Sequence, residues 1–171
     1  MKRKKLCIAI PASIVSDTPH LREKTYKLGL IGRAAAIFRV DEIIIFPDSP
    51  RSVWKTDMSL VSTLLSYLET PQYLRRRLFK LSADLQYAGI LPPLRTPHHP
   101  LNRRMNELRV GEFREAATLS ATKKQTFVDI GVEQPALIRN EQLAVGKRVT
   151  VKVIKIGKPV EVELVNRDEA P

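Results

Sequence analysis

Residues 32–46 read GRAAAIFRVDEIIIF, in which a small, apolar helix end leads directly into an aliphatic strand. Apolar residues recur at helical spacing over 28–38, and the run at 42–46 is typical of a buried strand. A second strand-like run, at 6–10, stops at Pro11. The order strand, helix, strand predicts a right-handed parallel crossover, so the first third of the chain is expected to be α/β.

Helical patterns continue beyond this unit. Residues 57–69 carry two adjacent apolar rows, and Thr70 followed by Pro71 predicts a second, short helix with Thr70 as its N-cap. Three consecutive arginines occupy 75–77 of this helix. Because neighbouring residues on a helix point about 100° apart, at least one of the three must lie beside the apolar stripe.

The sequence period changes in the second half. Residues 95–109 are polar and irregular, which favours a domain junction. Five short runs with strand character follow, enough for a small closed barrel of the OB-fold size. We therefore expect an α/β portion over 1–94, and a linker with an OB-like β-barrel over 95–171. The five runs lie at 112–121, 126–132, 135–138, 147–156 and 160–165.

The charge of the chain is strongly positive and uneven. There are 29 Lys and Arg residues against 18 Asp and Glu, and the formal net charge is +11. Residues 72–104 concentrate basic side chains beside Tyr73 and Tyr87, a pattern that indicates a polyanionic partner, most simply RNA. The alternative is a solubility charge in a protein from a hot or salty habitat. The predicted RNA-binding residues are Arg75, Arg76, Arg77, Lys80, Arg95, His98, His99, Arg103 and Arg104.

Several classes of protein are disfavoured by what the sequence lacks. The longest purely aliphatic-aromatic block, at 43–46, is far shorter than a membrane span. No His/Cys cluster has metal-ligand spacing, and no phosphate-loop or nucleophile-elbow motif occurs. Cys7, the single cysteine, alternates within a strand and is predicted to be a core residue. We expect a metal-free cytoplasmic protein without a membrane anchor.

Arg33 interrupts the apolar segment before the second strand. Burying an unpaired guanidinium costs several kcal/mol, so this side chain needs an acidic partner or a cleft. The structural alternative is an ion pair with Asp41, Glu42 or Glu23. The functional alternative is a role at a substrate site.

Several stretches together resemble a known family, the SPOUT class of RNA methyltransferases. Three of them are IAIPASI at 8–14, the opening stretch at 32–46, and YLETPQYLR at 67–75. Three further stretches narrow the resemblance to the archaeal and eukaryotic branch regarded as rRNA uridine-N3-methyltransferases. These are DLQYAGIL at 84–91, PHHP at 97–100 and GEFRE at 111–115.

The resemblance implies a homodimer of α/β domains whose C-terminal trefoil knot binds S-adenosylmethionine, with an OB-like barrel inserted in the domain. It also implies that Arg33 lies near the substrate base. In this family the knot follows the barrel, so the cofactor-binding residues are expected outside the present sequence. Three functions stay open: the RNA-binding and part-catalytic portion of a methyltransferase acting on large-subunit rRNA, a non-catalytic OB-type RNA-binding protein, and a protein–protein scaffold.

Overall fold

A computed structural model describes residues 4–48, 54–94, 96, 100 and 102–169. The chain divides into two compact units. The first comprises Met1–Glu69 with Leu81–Leu94, and the second comprises Thr70–Lys80 with Arg95–Pro171. The mixed α/β class is confirmed.

The first unit is built on the predicted strand–helix–strand motif. Strand β1 (Cys7–Pro11) pairs in parallel with β2 (Glu42–Phe46), and helix α1 (Leu21–Ile37) connects them. Helix α2 (Trp54–Glu69) follows. The parallel register places Cys7 opposite Glu42 and Ile10 opposite Ile45. The predicted parallel pairing of the two strands is therefore confirmed.

The core of this unit lies between the sheet and the two helices. A Cβ atom at Gly32 of α1 would collide with Leu68 of α2, so glycine is what allows the two helices to approach closely. The apolar rows of α2 predicted from the sequence supply half of the buried cluster. The cluster contains Ile10, Val15, Leu28, Leu60, Val61, Leu64, Leu68 and Leu91.

The other face of the two-stranded sheet is exposed. Ile44 is 48% exposed, and Phe46 is exposed as well. Cys7 lies on this face, and its thiol donates a hydrogen bond to Oε2 of Glu42 at 3.6 Å. The prediction that Cys7 is a core residue is wrong, because alternation along the strand turns it away from the helices.

The second unit is a closed five-stranded barrel. Its strands are β3 (Phe113–Thr122), β4 (Gln125–Asp129), β5 (Ala136–Arg139), β6 (Arg148–Lys155) and β7 (Glu161–Leu164). They close in the order β3-β4-β5-β7-β6. All neighbouring pairs are antiparallel except β5–β7, which is parallel. The predicted barrel is confirmed, and its strand order is consistent with an OB-like fold.

The barrel interior is aliphatic, and its outer surface carries paired charges. Val128, Ile138, Val151 and Val162 are among the residues buried inside. On the outside of the last hairpin, Lys152 lies opposite Glu163, and their charged atoms are 4.0 Å apart. The lysine–glutamate hairpin that the sequence predicted, with one apolar and one wet face, is thus confirmed.

Arg114, at the start of β3, is a buried charge of the barrel unit. Arg114 is 1% exposed, and its Nε donates to Oε1 of Glu112 at 2.8 Å. Its Nη1 donates to the backbone oxygens of Asn102 and Ile130, each at 3.1 Å. These bonds offset much of the free-energy cost of desolvating the guanidinium. They also connect the segment at Asn102, before the barrel, to the residue that follows β4.

Helix α3 (Gln72–Leu78) belongs to the barrel unit. It begins at Gln72, and Pro71 rather than Thr70 occupies the N-cap position, without a side-chain capping bond. The prediction of Thr70 as N-cap is therefore wrong. The helix begins one residue later than the sequence predicts, and the Thr70 hydroxyl accepts a hydrogen bond from Nη1 of Arg148 at 3.3 Å.

Candidate nucleic-acid interface

Tyr73 fastens α3 to the outer wall of the barrel. Its hydroxyl donates to the backbone oxygen of Glu115 on β3 at 2.8 Å. Its ring lies against the backbone of Gly131, a residue with φ of +82°. Burial raises the pKa of Tyr73 well above its ordinary value. The tyrosine that the sequence placed beside the basic surface is therefore a packing residue.

The three arginines of α3 differ in their environments. Arg75 donates from Nε to the backbone oxygen of Thr70 at 2.9 Å. Arg77 donates from Nε to Oδ2 of Asp129, the last residue of β4, at 2.5 Å. Arg76 is exposed and forms no ion pair with any acid in the described part of the chain. Of the three guanidinium groups, that of Arg76 is thus unpaired within the described residues, that of Arg75 bonds to the backbone just before the helix, and that of Arg77 ties α3 to β4.

A buried ion pair lies beneath this helix. Glu115 is 2% exposed and accepts hydrogen bonds from Nε of Arg148 at 2.6 Å and from the Thr150 hydroxyl at 2.9 Å. The same Arg148 reaches Thr70, so β3, β6 and the start of the α3 segment share one polar network. Such a network keeps the basic helix in a fixed place on the barrel.

The other predicted RNA-binding residues divide into two sets. Lys80, Arg103 and Arg104 are exposed and belong to the barrel unit, like the α3 arginines. The pKa of Glu133 is lowered mainly by hydrogen bonds from the backbone amides of Glu133 itself and Met105. The positive charge of Arg104 lowers it further. The remaining residues, Arg95, His98 and His99, lie outside the described residues.

Arg33 lies on α1 of the first unit and is exposed. It makes no ion pair within the described ranges. Two of the three predicted acidic partners are engaged otherwise: Oδ2 of Asp41 accepts the Leu6 amide at 2.8 Å, and Oε2 of Glu42 accepts the Cys7 thiol. The ion-pair alternative is therefore wrong, because Arg33 is not buried and needs no neutralising carboxylate. Its guanidinium is open to solvent.

The sequence analysis missed basic residues in the turns of the barrel. Lys123 and Lys124 join β3 to β4, and Lys158 lies between β6 and β7; all three are exposed. The corresponding turns of OB-folds contact oligonucleotides. The strand spacing along the sequence indicates these turns, but their lysines lie outside the densest basic stretch at 72–104.

The described part of the chain was compared with the requirements of metal, membrane and nucleotide-cofactor sites. Within it, no group of three or more His, Cys, Asp or Glu side chains could hold a metal ion. Among the helices there, none has both the length and the apolar character that a membrane crossing requires. The space beside Gly29, Gly32 and Gly131 is filled by Pro92, Leu68 and Tyr73 respectively, so these glycines form no cradle for a nucleotide cofactor.

Comparison with known proteins identifies the family. A family model described as "Putative RNA methyltransferase" matches residues 5–171. The chain belongs to this family. The resemblance found in the sequence is thereby confirmed at the level of an RNA methyltransferase family. The matched residues include the barrel and the arginines of α3.

Named relatives add detail to the family assignment. The chain is 36% identical over 163 residues to the human 28S rRNA (uridine-N(3))-methyltransferase, covering 86% of this chain and 42% of that protein. It is 33% identical over 169 residues to the Drosophila melanogaster protein of the same name, covering 86% of this chain and 34% of that one. An uncharacterized protein of Halobacterium salinarum is 33% identical over 164 residues, with 93% and 56% covered. The chain spans about half, or less, of the length of these curated relatives.

Proposed function

We propose that this chain is the RNA-binding and part-catalytic portion of a SPOUT-class methyltransferase that uses S-adenosylmethionine to methylate N3 of a uridine in large-subunit rRNA. The observation that carries the proposal is the family match over nearly the whole chain, joined to two relatives named as 28S rRNA uridine-N3-methyltransferases. The closed barrel supports it, since OB-like barrels bind single strands through basic grooves and stacking.

In this proposal the barrel unit binds the RNA backbone. Arg76, Lys80, Arg103 and Arg104 are exposed cations on that unit and contact phosphates directly. Arg75 and Arg77 add positive field from the same helix, while Nε of Arg77 ties α3 to Asp129 of the barrel and Nε of Arg75 bonds to the backbone just before the helix. Arg95, His98 and His99 complete the predicted set. The binding energy is then mainly electrostatic and depends steeply on salt.

Arg33 is assigned to the target uridine. Methylation at N3 requires the imide N3–H proton to leave, and negative charge then develops on the neighbouring O2 and O4 carbonyl oxygens. A guanidinium that donates to one of these oxygens stabilises that charge and lowers the effective pKa of the imide. The guanidinium of arginine is already protonated and has no site that accepts a proton. The imide proton therefore passes to a separate base.

The methyl donor supplies an electrophilic methyl group on a sulfonium when it is bound. The space beside Gly29, Gly32 and Gly131 is filled by side chains, so these glycines do not form a cradle for an adenosyl group. The proposal includes a homodimer of the complete enzyme, acting in the cytoplasm.

Transfer of radiolabelled methyl groups tests the proposal. The full-length protein is incubated with labelled S-adenosylmethionine and large-subunit rRNA isolated from a strain that lacks the gene. We expect label to be incorporated by the wild-type protein and incorporation to fall at least about a hundredfold for Arg33→Ala, the range seen when one electrostatic donor is removed from an active site. RNA binding without any methyl transfer would instead identify a non-catalytic OB-type RNA-binding protein.

A further inference from the structure

The first unit contains an open cleft that the family assignment does not explain. It lies between the first two turns of α1 and the segment that follows residue 85, and its volume is about 810 Å³. Its lining includes His20, Arg22, Tyr26, Gln86, Tyr87 and Ile90.

The chemistry of this lining matches a nucleotide. Tyr26 is 57% exposed, so much of its surface is open to a stacking partner, and Tyr87 supplies a second aromatic side chain. The amide of Gln86 can both donate to and accept from a base edge, and the Arg22 guanidinium can bind a phosphate. Two tyrosines, an amide and a cation in one cleft are the groups that proteins use for unpaired bases.

The position of the cleft relates it to Arg33. Residues 22, 26 and 33 of a helix lie within about 40° of one another around its axis, and Arg22, Tyr26 and Arg33 are all exposed. Tyr26 and Arg33 are therefore on the same face of α1, about 10 Å apart along the helix. An RNA strand that places one base at Arg33 can reach the cleft within a few nucleotides.

We infer that this cleft binds an unpaired RNA nucleotide flanking the target uridine, with its base stacked on Tyr26 and Tyr87 and its phosphate on Arg22. The inference rests on the proposed function, because it takes RNA as the ligand and Arg33 as the position of the target base. The stack requires an unpaired base, so the cleft selects single-stranded RNA over a duplex. The carboxylate of Glu23 also lines the cleft and can accept a hydrogen bond from an exocyclic amino group of the base.

Fluorescence anisotropy with a labelled single-stranded RNA tests the inference in the complete chain. Loss of one stacking tyrosine weakens single-strand binding about tenfold, so Tyr26→Ala and Tyr87→Ala are each expected to raise Kd by about that factor. Tyr26→Phe keeps the aromatic face and is expected to bind like the wild type. Phe38→Ala is the matched control, since this aromatic residue is 73% exposed just beyond α1 and outside the cleft.

The outcomes separate this inference from the proposed function. Wild-type affinity in both tyrosine variants, together with weaker binding in Arg76→Ala, would overturn the cleft assignment and leave RNA binding by the barrel unit intact. No RNA binding by the wild-type chain would overturn both. Equal weakening of single-stranded and duplex RNA by Tyr26→Ala would also contradict a stacked base. Circular dichroism shows that each variant compared is folded.

Discussion

The ring of Tyr73 fills the space that a side chain at position 131 would need. A Cβ atom on Gly131 would lie 2.6 Å from Cγ of that ring, and the backbone there has a φ of +82°. The helix that carries the three arginines is thus seated on the barrel at a place where only glycine fits both the backbone and the neighbour.

Gly131→Ala is therefore expected to destabilise the barrel unit through two effects. The left-handed backbone costs an alanine about 1–2 kcal/mol, and the collision with the ring adds about 1–3 kcal/mol. Gly146→Ala is the matched control, because its φ is +77° and nothing lies within 4 Å of its added Cβ. Urea unfolding measures both variants. Equal losses in stability would show that the Tyr73 contact imposes no constraint.

Glu115→Gln is expected to destabilise the protein by about 3–5 kcal/mol. The substitution removes the negative charge from a largely buried pair with Arg148, and breaking a buried pair from one side is strongly destabilising. Glu163→Gln is the control, since the Lys152–Glu163 pair is exposed and long at 4.0 Å. Denaturant unfolding that gave similar small changes for both would contradict the structural role of Glu115.

Tyr73 makes stability depend on alkaline pH. Its pKa in the folded protein is raised by burial above the ordinary value near 10, so the folded state keeps a proton that the unfolded chain releases. The stability from this group is complete below about pH 10 and falls above it by up to about 1.4 kcal/mol per pH unit.

Tyr73→Phe removes this titration. The lysines titrate in both proteins, so their contribution cancels when the variant is compared with the wild type. In urea unfolding experiments, the stability of the wild type relative to the variant is expected to be constant up to about pH 9 and to fall between about pH 10 and pH 11. A difference that stays constant over this range would contradict the assignment.

Arg76 and Arg77 are expected to respond differently to substitution by alanine. Arg76→Ala should leave stability within about 0.5 kcal/mol of wild type and reduce the slope of log K against log salt by about 0.7, the loss of one phosphate contact. Arg77→Ala removes the ion pair with Asp129 and should lower stability by up to about 1 kcal/mol. Salt titrations of RNA binding and urea unfolding measure the two effects. The same profile for both variants would contradict the division of roles within α3.

The secondary structure was predicted better than the environment of individual side chains. The strand at Glu42–Phe46 was located to the residue, because a continuous aliphatic run bounded by Pro47 is a local signal. The exposure of Cys7 was not predictable, since alternation alone does not show which face of a sheet is covered. The pairing of Arg77 with Asp129 joins residues about fifty positions apart, and no local pattern encodes it.

The same reason limits prediction of the site. A cluster of positive charge along the sequence predicts a polyanion-binding surface. It does not show which of the arginines form intramolecular ion pairs in the folded chain. The cleft at Tyr26 and Tyr87 combines two segments about sixty residues apart, and neither tyrosine alone distinguishes a core position from a stacking position. Only tertiary structure brings them together.

Mapping of N3-methyluridine in large-subunit rRNA tests the central claim most directly. A methyl group at N3 blocks the Watson–Crick edge, so it stops reverse transcription and adds a methyl mass to the nucleotide. In a strain that lacks the gene, one uridine is expected to lose this modification; the wild-type gene restores it, and an Arg33→Ala allele does not. An unchanged modification profile in the deletion strain would contradict the account.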